Sequence, residues 1–268
     1  MKETKKKGKA KKIALIVLAV ILALIAMVSI AVAVIAGGNV KAMDSCVDAV
    51  LTELCKEHTV TPVDAGKYEE LTIYGIMKFD VQQYDIEDVG NLSIMKVNMG
   101  VMQMATVVIT PQDKNLPLLS ADFMYILGNR KAYLEIYDVV AEKDDQYLRL
   151  LDALQDVQNN YDHLEDIETS DAWYQHLLTV TSYKGGDAKC DNDIQQMLVD
   201  SIHTYLTYGK ELPTLTEEER EEKLAISVEY TDGLIEKGGI STDVFKSQLG
   251  NEETKKFFDQ VFFGTAAN

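Results

Sequence analysis

The chain has 268 residues, with 26 Lys or Arg against 43 Asp or Glu, for a formal net charge of −17. Setting aside the eight lysines and one glutamate before Met43 leaves 18 basic and 42 acidic residues, a formal charge of −24. Such a surface argues against nucleic acid, whose affinity comes largely from Lys and Arg on phosphates. It argues equally against an anionic membrane surface or an acidic protein partner.

Residues 1–12 form a basic tail, with Lys2, Lys5, Lys6, Lys7, Lys9, Lys11 and Lys12. Residues 13–36 follow as an apolar run broken only by Ser29. These 24 residues make about 36 Å of helix, against a bilayer core of about 30 Å. A cleaved secretory signal has a shorter apolar region of about 7–15 residues, so a retained signal anchor is expected. Ala31-Val32-Ala33 is the alternative, a small-residue pattern that a signal peptidase can cut. Only Lys41 follows the run closely, so the lysine asymmetry predicts a cytoplasmic N-terminus and an extracytoplasmic C-terminal domain in the cell membrane.

Residues 37–66 read as a juxtamembrane helix and linker. The helix covers Ser45–Glu57, with Val47, Val50, Leu51 and Leu54 on one face. No core pattern precedes Ser45, so removal of residues 1–42 is expected to leave the rest folded. Cys46 and Cys55 share this helix about 13 Å apart, too far for a mutual disulfide. Cys190 can pair with either, and three free, buried thiols are the default.

The exported domain spans 67–268. Leu71, Ile73, Met77 and Phe79 alternate with polar residues as one strand, and further strands fit 81–86, 92–98, 101–110, 121–127 and 131–140. Gly100 and Gly128-Asn129 mark short turns, which favour antiparallel pairing. After Val140 the chain reads as helical to its end. Residues 144–159 carry Leu148, Leu151 and Leu154. Asn192 with Gln195 caps a helix bearing Ile194, Met197, Leu198, Ile202, Tyr205 and Leu206. Thr216 with Glu219 opens another, with Leu224, Val228, Thr231 and Ile235 inward and Gly238 at its C-cap. Ser241 and Gly250 bound a short helix. Asn251 caps the last one, which turns Phe257, Phe258, Val261 and Phe262 into the core. Strands followed by helices predict an α+β domain with helices packed on one antiparallel sheet.

Motifs for nucleotide phosphates, zinc proteases and redox dithiols do not occur, and His58, His163, His176 and His203 form no metal-ligand spacing. A Ser/His/Asp triad needs no adjacency in sequence, and nothing points to one. The more specific signal is a carboxylate pair. Leu116-Pro117-Leu118-Leu119-Ser120-Ala121-Asp122 enters a hairpin whose return strand carries Glu135-Ile136-Tyr137-Asp138. An aspartate on a central strand beneath a helix layer is desolvated, and its raised pKa suits proton donation. The plainer alternative is that Asp122 and Asp138 end their strands in water. Tyr68, Tyr74, Tyr125, Tyr133 and Tyr137 fall in the same half, as a pocket lining or as ordinary cross-strand packing.

This ordered set resembles the ferredoxin-dependent bilin reductases, which reduce linear tetrapyrroles such as biliverdin. Pro111, Leu116-Pro117, Asp122 and Asp138 match that family's sheet motifs, and Trp173 its lone tryptophan. Asp191–Tyr208, Pro213-Thr214-Leu215-Thr216-Glu217, and Leu249-Gly250-Asn251-Glu252 through Val261-Phe262-Phe263 match its later helices. The likeness spans roughly residues 68–263. It implies an α/β/α sandwich with pigment between the sheet and the C-terminal helices, and Asp138 as proton donor with Asp122 beside it. Gly238-Gly239-Ile240-Ser241-Thr242 stands where the family has an Asn, Asp and Arg stretch, and Ser120 replaces a glycine. The sheet has no histidine to share a proton with Asp138. Three readings stay open: a domain binding a linear tetrapyrrole or other flat apolar ligand, a bilin-type oxidoreductase, and a non-catalytic structural or protein-interaction domain. No bound cofactor is expected, and the sequence names neither an electron donor nor a protein partner.

Overall fold

The structure is a computed structural model that describes the backbone of residues 2–266 and the side chains of residues 15–239 and 242–266. Helix α1, Lys2–Leu54, runs from the basic tail through the apolar segment and into the domain. The tail, anchor and juxtamembrane helix, expected as separate pieces, are therefore one rod of 53 residues. From Leu15 it is long and apolar enough to cross a membrane, with a mean hydropathy of 3.2 over its most apolar 18-residue window. Gly37 and Gly38 do not break it.

Nine strands form one antiparallel sheet: β1 (Val60–Val63), β2 (Glu70–Ile73), β3 (Met77–Ile86), β4 (Gly90–Asn98), β5 (Met102–Pro111), β6 (Leu118–Ile126), β7 (Asn129–Tyr137), β8 (Glu165–Asp166) and β9 (Leu178–Asp187). Their order is β1-β3-β4-β5-β6-β7-β9-β8, and β2 lies beside β1 along the outer edge of β3. The residues read as one strand from Leu71 to Phe79 instead fold back at Tyr74-Gly75, both at positive φ. Ile73 then faces Met77, so the expected alternation survives the turn. Val60–Val63, assigned above to a linker, belongs to the sheet.

Strand β9 corrects the expectation of an all-helical second half. Its inward side carries Val180, Ser182 and Lys184, and two polar residues in three hide the alternation. Lys184 is tolerated there because its ammonium reaches Asp166 at 2.6 Å.

Each sheet face is covered by helices, which gives the α/β/α sandwich that the resemblance implied. On one face α1, α2 (Asp145–Asn159) and α3 (Asp191–Glu211) bury Val47, Val50, Leu54, Leu154, Ile202 and Tyr205 against Leu92, Ile94, Val107, Leu119 and Leu134. On the other, α4 (Glu217–Lys237), α5 (Ile240–Leu249), α6 (Asn251–Phe257) and a π-helical turn, Phe258–Phe262, bury Tyr230, Phe245, Phe257, Phe258 and Val261 against Phe79, Val81, Met95 and Val108.

The caps differ in detail. Thr216 and Glu219 form the expected capping box, and Gly238 and Gly250 end their helices at φ 83° and 78°. Helix α3 starts one residue before Asn192, after a 3-10 turn that Asp187 caps by accepting from the Lys189 N–H. Gly239 and Gly250 stand at the N-caps expected for Ser241 and Asn251. Helix α4 buries Thr231 as expected, but the rest of its inward stripe, Lys223, Ser227, Tyr230 and Leu234, is set one residue before Leu224, Val228 and Ile235. A lysine on the inner face defeats a pattern read from leucine and valine. Leu148 on α2 is likewise exposed, while Tyr147, Leu150 and Leu154 face inward. All three cysteines are free, with Cys46 buried and Cys55 exposed.

Asn39, within the segment expected to be dispensable, is buried. Its amide donates to Gln103 at 2.8 Å and to the Leu127 carbonyl at 2.9 Å, and its oxygen accepts from Arg130 at 2.9 Å. A chain starting at Met43 loses these bonds and leaves two buried polar partners unsatisfied. It should be less stable than one starting at Gly37 by about 1–3 kcal/mol in urea denaturation. Equal midpoints and slopes would mean that Asn39 contributes nothing.

Candidate functional site

Strand alternation decides which side chains meet. On β6, Leu119, Ala121 and Phe123 enter the core beneath α1–α3, so Ser120, Asp122 and Met124 face the α4 side. On β7, Ala132, Leu134 and Ile136 point to the first face and Tyr133 and Glu135 to the second. Asp122 lies opposite Tyr133, and Glu135 lies opposite Thr181 on β9.

Asp122 lies beneath the α4 side, surrounded by protein yet still partly accessible. The Thr106 hydroxyl donates to its carboxylate. Glu135 accepts from the Tyr137 phenol through one oxygen and from Tyr183, at 2.9 Å, through the other. Tyr137, Tyr174 and Tyr230 pack with centroids 5.0–6.3 Å apart, and Trp173 meets Tyr174 edge-on at 5.4 Å. The Trp173 indole N–H donates to the Gly238 carbonyl at 2.9 Å, and Lys237 lies over its ring. Gly233 makes room for that ring, since a Cβ there would stand 2.4 Å from it.

Burial pushes the Asp122 carboxyl up to about 6; the nearby charge of Glu135 adds to this, and the Thr106 hydrogen bond opposes it. Burial also raises Tyr137 and Tyr230 well above the usual phenol range, so both stay protonated. The chemistry available is a carboxyl that exchanges a proton just below neutrality, beside a carboxylate held by two phenols and against aromatic walls. Lys131 shares the sheet face of Tyr133 and Glu135 and is exposed at the anchor end of β7.

Asp138 is held elsewhere. Its carboxylate accepts from Tyr147 on α2 at 2.8 Å and pairs with Lys143, and its backbone N–H donates to Leu177. The two aspartates expected to act together therefore have different surroundings, and the acidic neighbour of Asp122 is Glu135. Of the five tyrosines read as a cluster, only Tyr133 and Tyr137 share the sheet face of Asp122. Tyr68 packs on Phe257, Tyr74 lies at an exposed turn, and Tyr125 sits under Arg130 on the other face. The tyrosines at 174, 183 and 230 were missed because they come from later elements. Glu135 was readable from its even spacing with Tyr133 and Tyr137. An open groove of about 680 Å³ runs along the β1–β3 edge, away from Asp122 and Glu135.

No protein-family profile matches the chain, and no curated protein matches it. Among solved structures it is similar to tomato phytochromobilin synthase in complex with biliverdin, with a TM-score of 0.66 and 12% identity over 84% of this chain and 85% of that one. At that identity the likeness shows a shared fold, that of the bilin reductases.

Asp122 also sets a stability slope. A carboxyl raised from 3.8 to about 6 keeps its proton longer folded than unfolded. Stability then falls as pH rises through that window. Asp122→Asn should flatten the slope between about pH 4 and 6 and stabilise the protein by up to about 3 kcal/mol at pH 7. Parallel pH–stability curves for the two proteins would rule out a raised carboxyl.

Proposed function

We propose that this chain is a membrane-anchored domain that holds a flat, conjugated, largely apolar ligand, with a linear tetrapyrrole as the best-fitting class, above Asp122. The observation that carries the reading is the raised carboxyl of Asp122 among aromatic side chains, in a fold whose solved neighbour is in complex with biliverdin. A protonated Asp122 can donate to a pyrrole nitrogen or carbonyl of such a ligand, and Lys131 can meet a carboxylate at the open end. Asp138, tied to Lys143 and Tyr147, is assigned to positioning the start of α2. Should the bound ligand be reduced, Asp122 is the proton donor, and the electrons come from a separate low-potential carrier.

A second reading has its own observation. Trp173, Tyr174, Tyr137 and Tyr230 pack against one another, so the same rings can serve as a closed core of an interaction domain. In the binding reading, Trp173 and Tyr174 must move aside, and they lie between β8 and β9 on a segment with little regular structure. Seven lysines before the apolar run and one soon after it support an extracytoplasmic domain.

Full-length protein in detergent micelles should bind biliverdin with a shift of its absorbance bands. Lys131→Glu should weaken this, and Asp122→Asn should retain binding. If a low-potential reductant bleaches the bound pigment, Asp122→Asn should slow that step by about 100-fold and Asp138→Asn should not. Absence of any pigment binding would leave the interaction reading.

Orientation is tested separately. Protease added outside intact cells should digest the domain; protection in intact cells that is lost once the cell membrane is lysed would reverse the assignment.

A further inference from the structure

We infer that the anchor-side end of the sheet is itself a membrane-contact surface, with Ile76, Val101 and Leu127 seated at the boundary between lipid headgroups and acyl chains. This rests on the anchor reading of α1 and is independent of which side of the membrane the domain occupies.

Three turns lie at one end of the sheet: Tyr74–Ile76 between β2 and β3, Met99–Val101 between β4 and β5, and Leu127-Gly128 between β6 and β7. α1 enters the domain at this same end. Asn39 donates to the Leu127 carbonyl at 2.9 Å, and the Leu127 N–H donates to the Val101 carbonyl at 2.9 Å. Only Gly37 and Gly38 separate the apolar run from Asn39, so the run ends about 4.5 Å along the helix from a residue buried in the body. A 36 Å run across a core of about 30 Å already reaches the headgroup layer, and no free linker lifts the domain away from it.

The exposed side chains agree with that placement. Tyr74 is 54% exposed, Ile76 78%, Val101 51% and Leu127 42%. Outside α1 and among the described residues, the other large apolar side chains this exposed are Val63 and Leu148. Four of six thus gather at the end where the anchor emerges. Charge sorts the same way. The turns 74–76, 99–101 and 127–128 contain no acidic residue, and Asp187 in the β9–α3 connection at the same end lies 3.7 Å from the Lys189 ammonium. The connections at the opposite end carry Glu87, Asp88, Asp113, Glu142 and Asp144. Leu127 also holds a φ of 52°, where glycine or asparagine would fit with less strain, and its side chain stays exposed. A leucine kept at such a position suits contact with hydrocarbon. The contact is apolar rather than electrostatic and does not require anionic lipid.

The full chain, reconstituted in phosphatidylcholine vesicles, tests this. Single cysteines are placed at Ile76, Val101 and Leu127, with Leu148 as a control at the distal end and Val28 as a control within the anchor, in a Cys55→Ser, Cys190→Ser background. Each carries an environment-sensitive fluorophore. The three turn labels are expected to emit at shorter wavelength than the Leu148 label and to lose most of their emission to lipids spin-labelled near the headgroup, while the Val28 label is read against lipids spin-labelled in the middle of the acyl chain. Turn labels that match Leu148 while the Val28 label is quenched would overturn the contact and leave the anchor standing. A Val28 label that is not quenched either would overturn the anchor reading and the contact with it.

Discussion

One guanidinium joins the long N-terminal helix to the domain. Arg130, on β7, is buried, and a buried charge persists only where its donors are met. Its Nε and Nη2 reach the two carboxylate oxygens of Asp191 at the start of α3, its Nη1 reaches Asn39 of α1 at 2.9 Å, and its plane lies 5.0 Å from the centre of the Tyr125 ring on β6. Four elements thus meet at one side chain. Loss of any partner would leave charge or amide buried without compensation, which is why Asn39 and Gln103 are polar inside an apolar layer. With α1 fixed there, its residues from Met43 to Leu54 cover the first sheet face and the sandwich closes.

The opposite face is less complete. Phenylalanines of α5, α6 and the π-helical turn seal the β2–β4 half, where Phe245 meets Phe79 at 5.1 Å and Phe257 meets Tyr68 at 5.3 Å. The β6–β9 half carries phenols and carboxylates instead. Tyr137 and Tyr183 can satisfy Glu135 because their raised ionisation keeps both protonated. Asp122 has one hydroxyl partner and a carboxylate neighbour, so its ionised form costs stability at neutral pH. A hydrophobic residue would pack there more favourably, and such local cost is common where a site needs a particular titration. Lys223, across the same helix layer, shows another solution: its ammonium donates to the carbonyls of Leu116 and Val139, and burial lowers its pKa to about 7.

Much of this architecture was legible where one face of an element was apolar. The meander from β3 to β7 followed from period-two alternation and short turns, and the inward faces of α3 and the last helical segment followed from helical spacing. Failures fell where polar side chains point inward. Ser182 and Lys184 concealed β9, and Lys223 displaced the apparent stripe of α4 by one residue. Gly37-Gly38 suggested a junction, yet α1 continues because lipid-like residues on one side and core residues on the other both demand helix. The placement of Asp122 under the α4 layer was readable from its strand; that of Asp138 was not, because the turn after Tyr137 carries it toward α2. The tyrosine ring from residues 174, 183 and 230 depends on tertiary contacts that a single chain's periodicity does not encode.

The unbroken helix from anchor to core has a consequence for rotation about its own axis. A flexible joint would let the apolar segment spin independently of the body. Here Asn39 is pinned against Gln103, Leu127 and Arg130, and helical geometry carries that azimuth down the rod. Val32 and Val28, seven and eleven residues earlier, lie within about 20° of it. The body therefore dictates which stripe of the apolar segment faces any given direction. Any torque on the domain is felt, at the same angle, along the apolar segment.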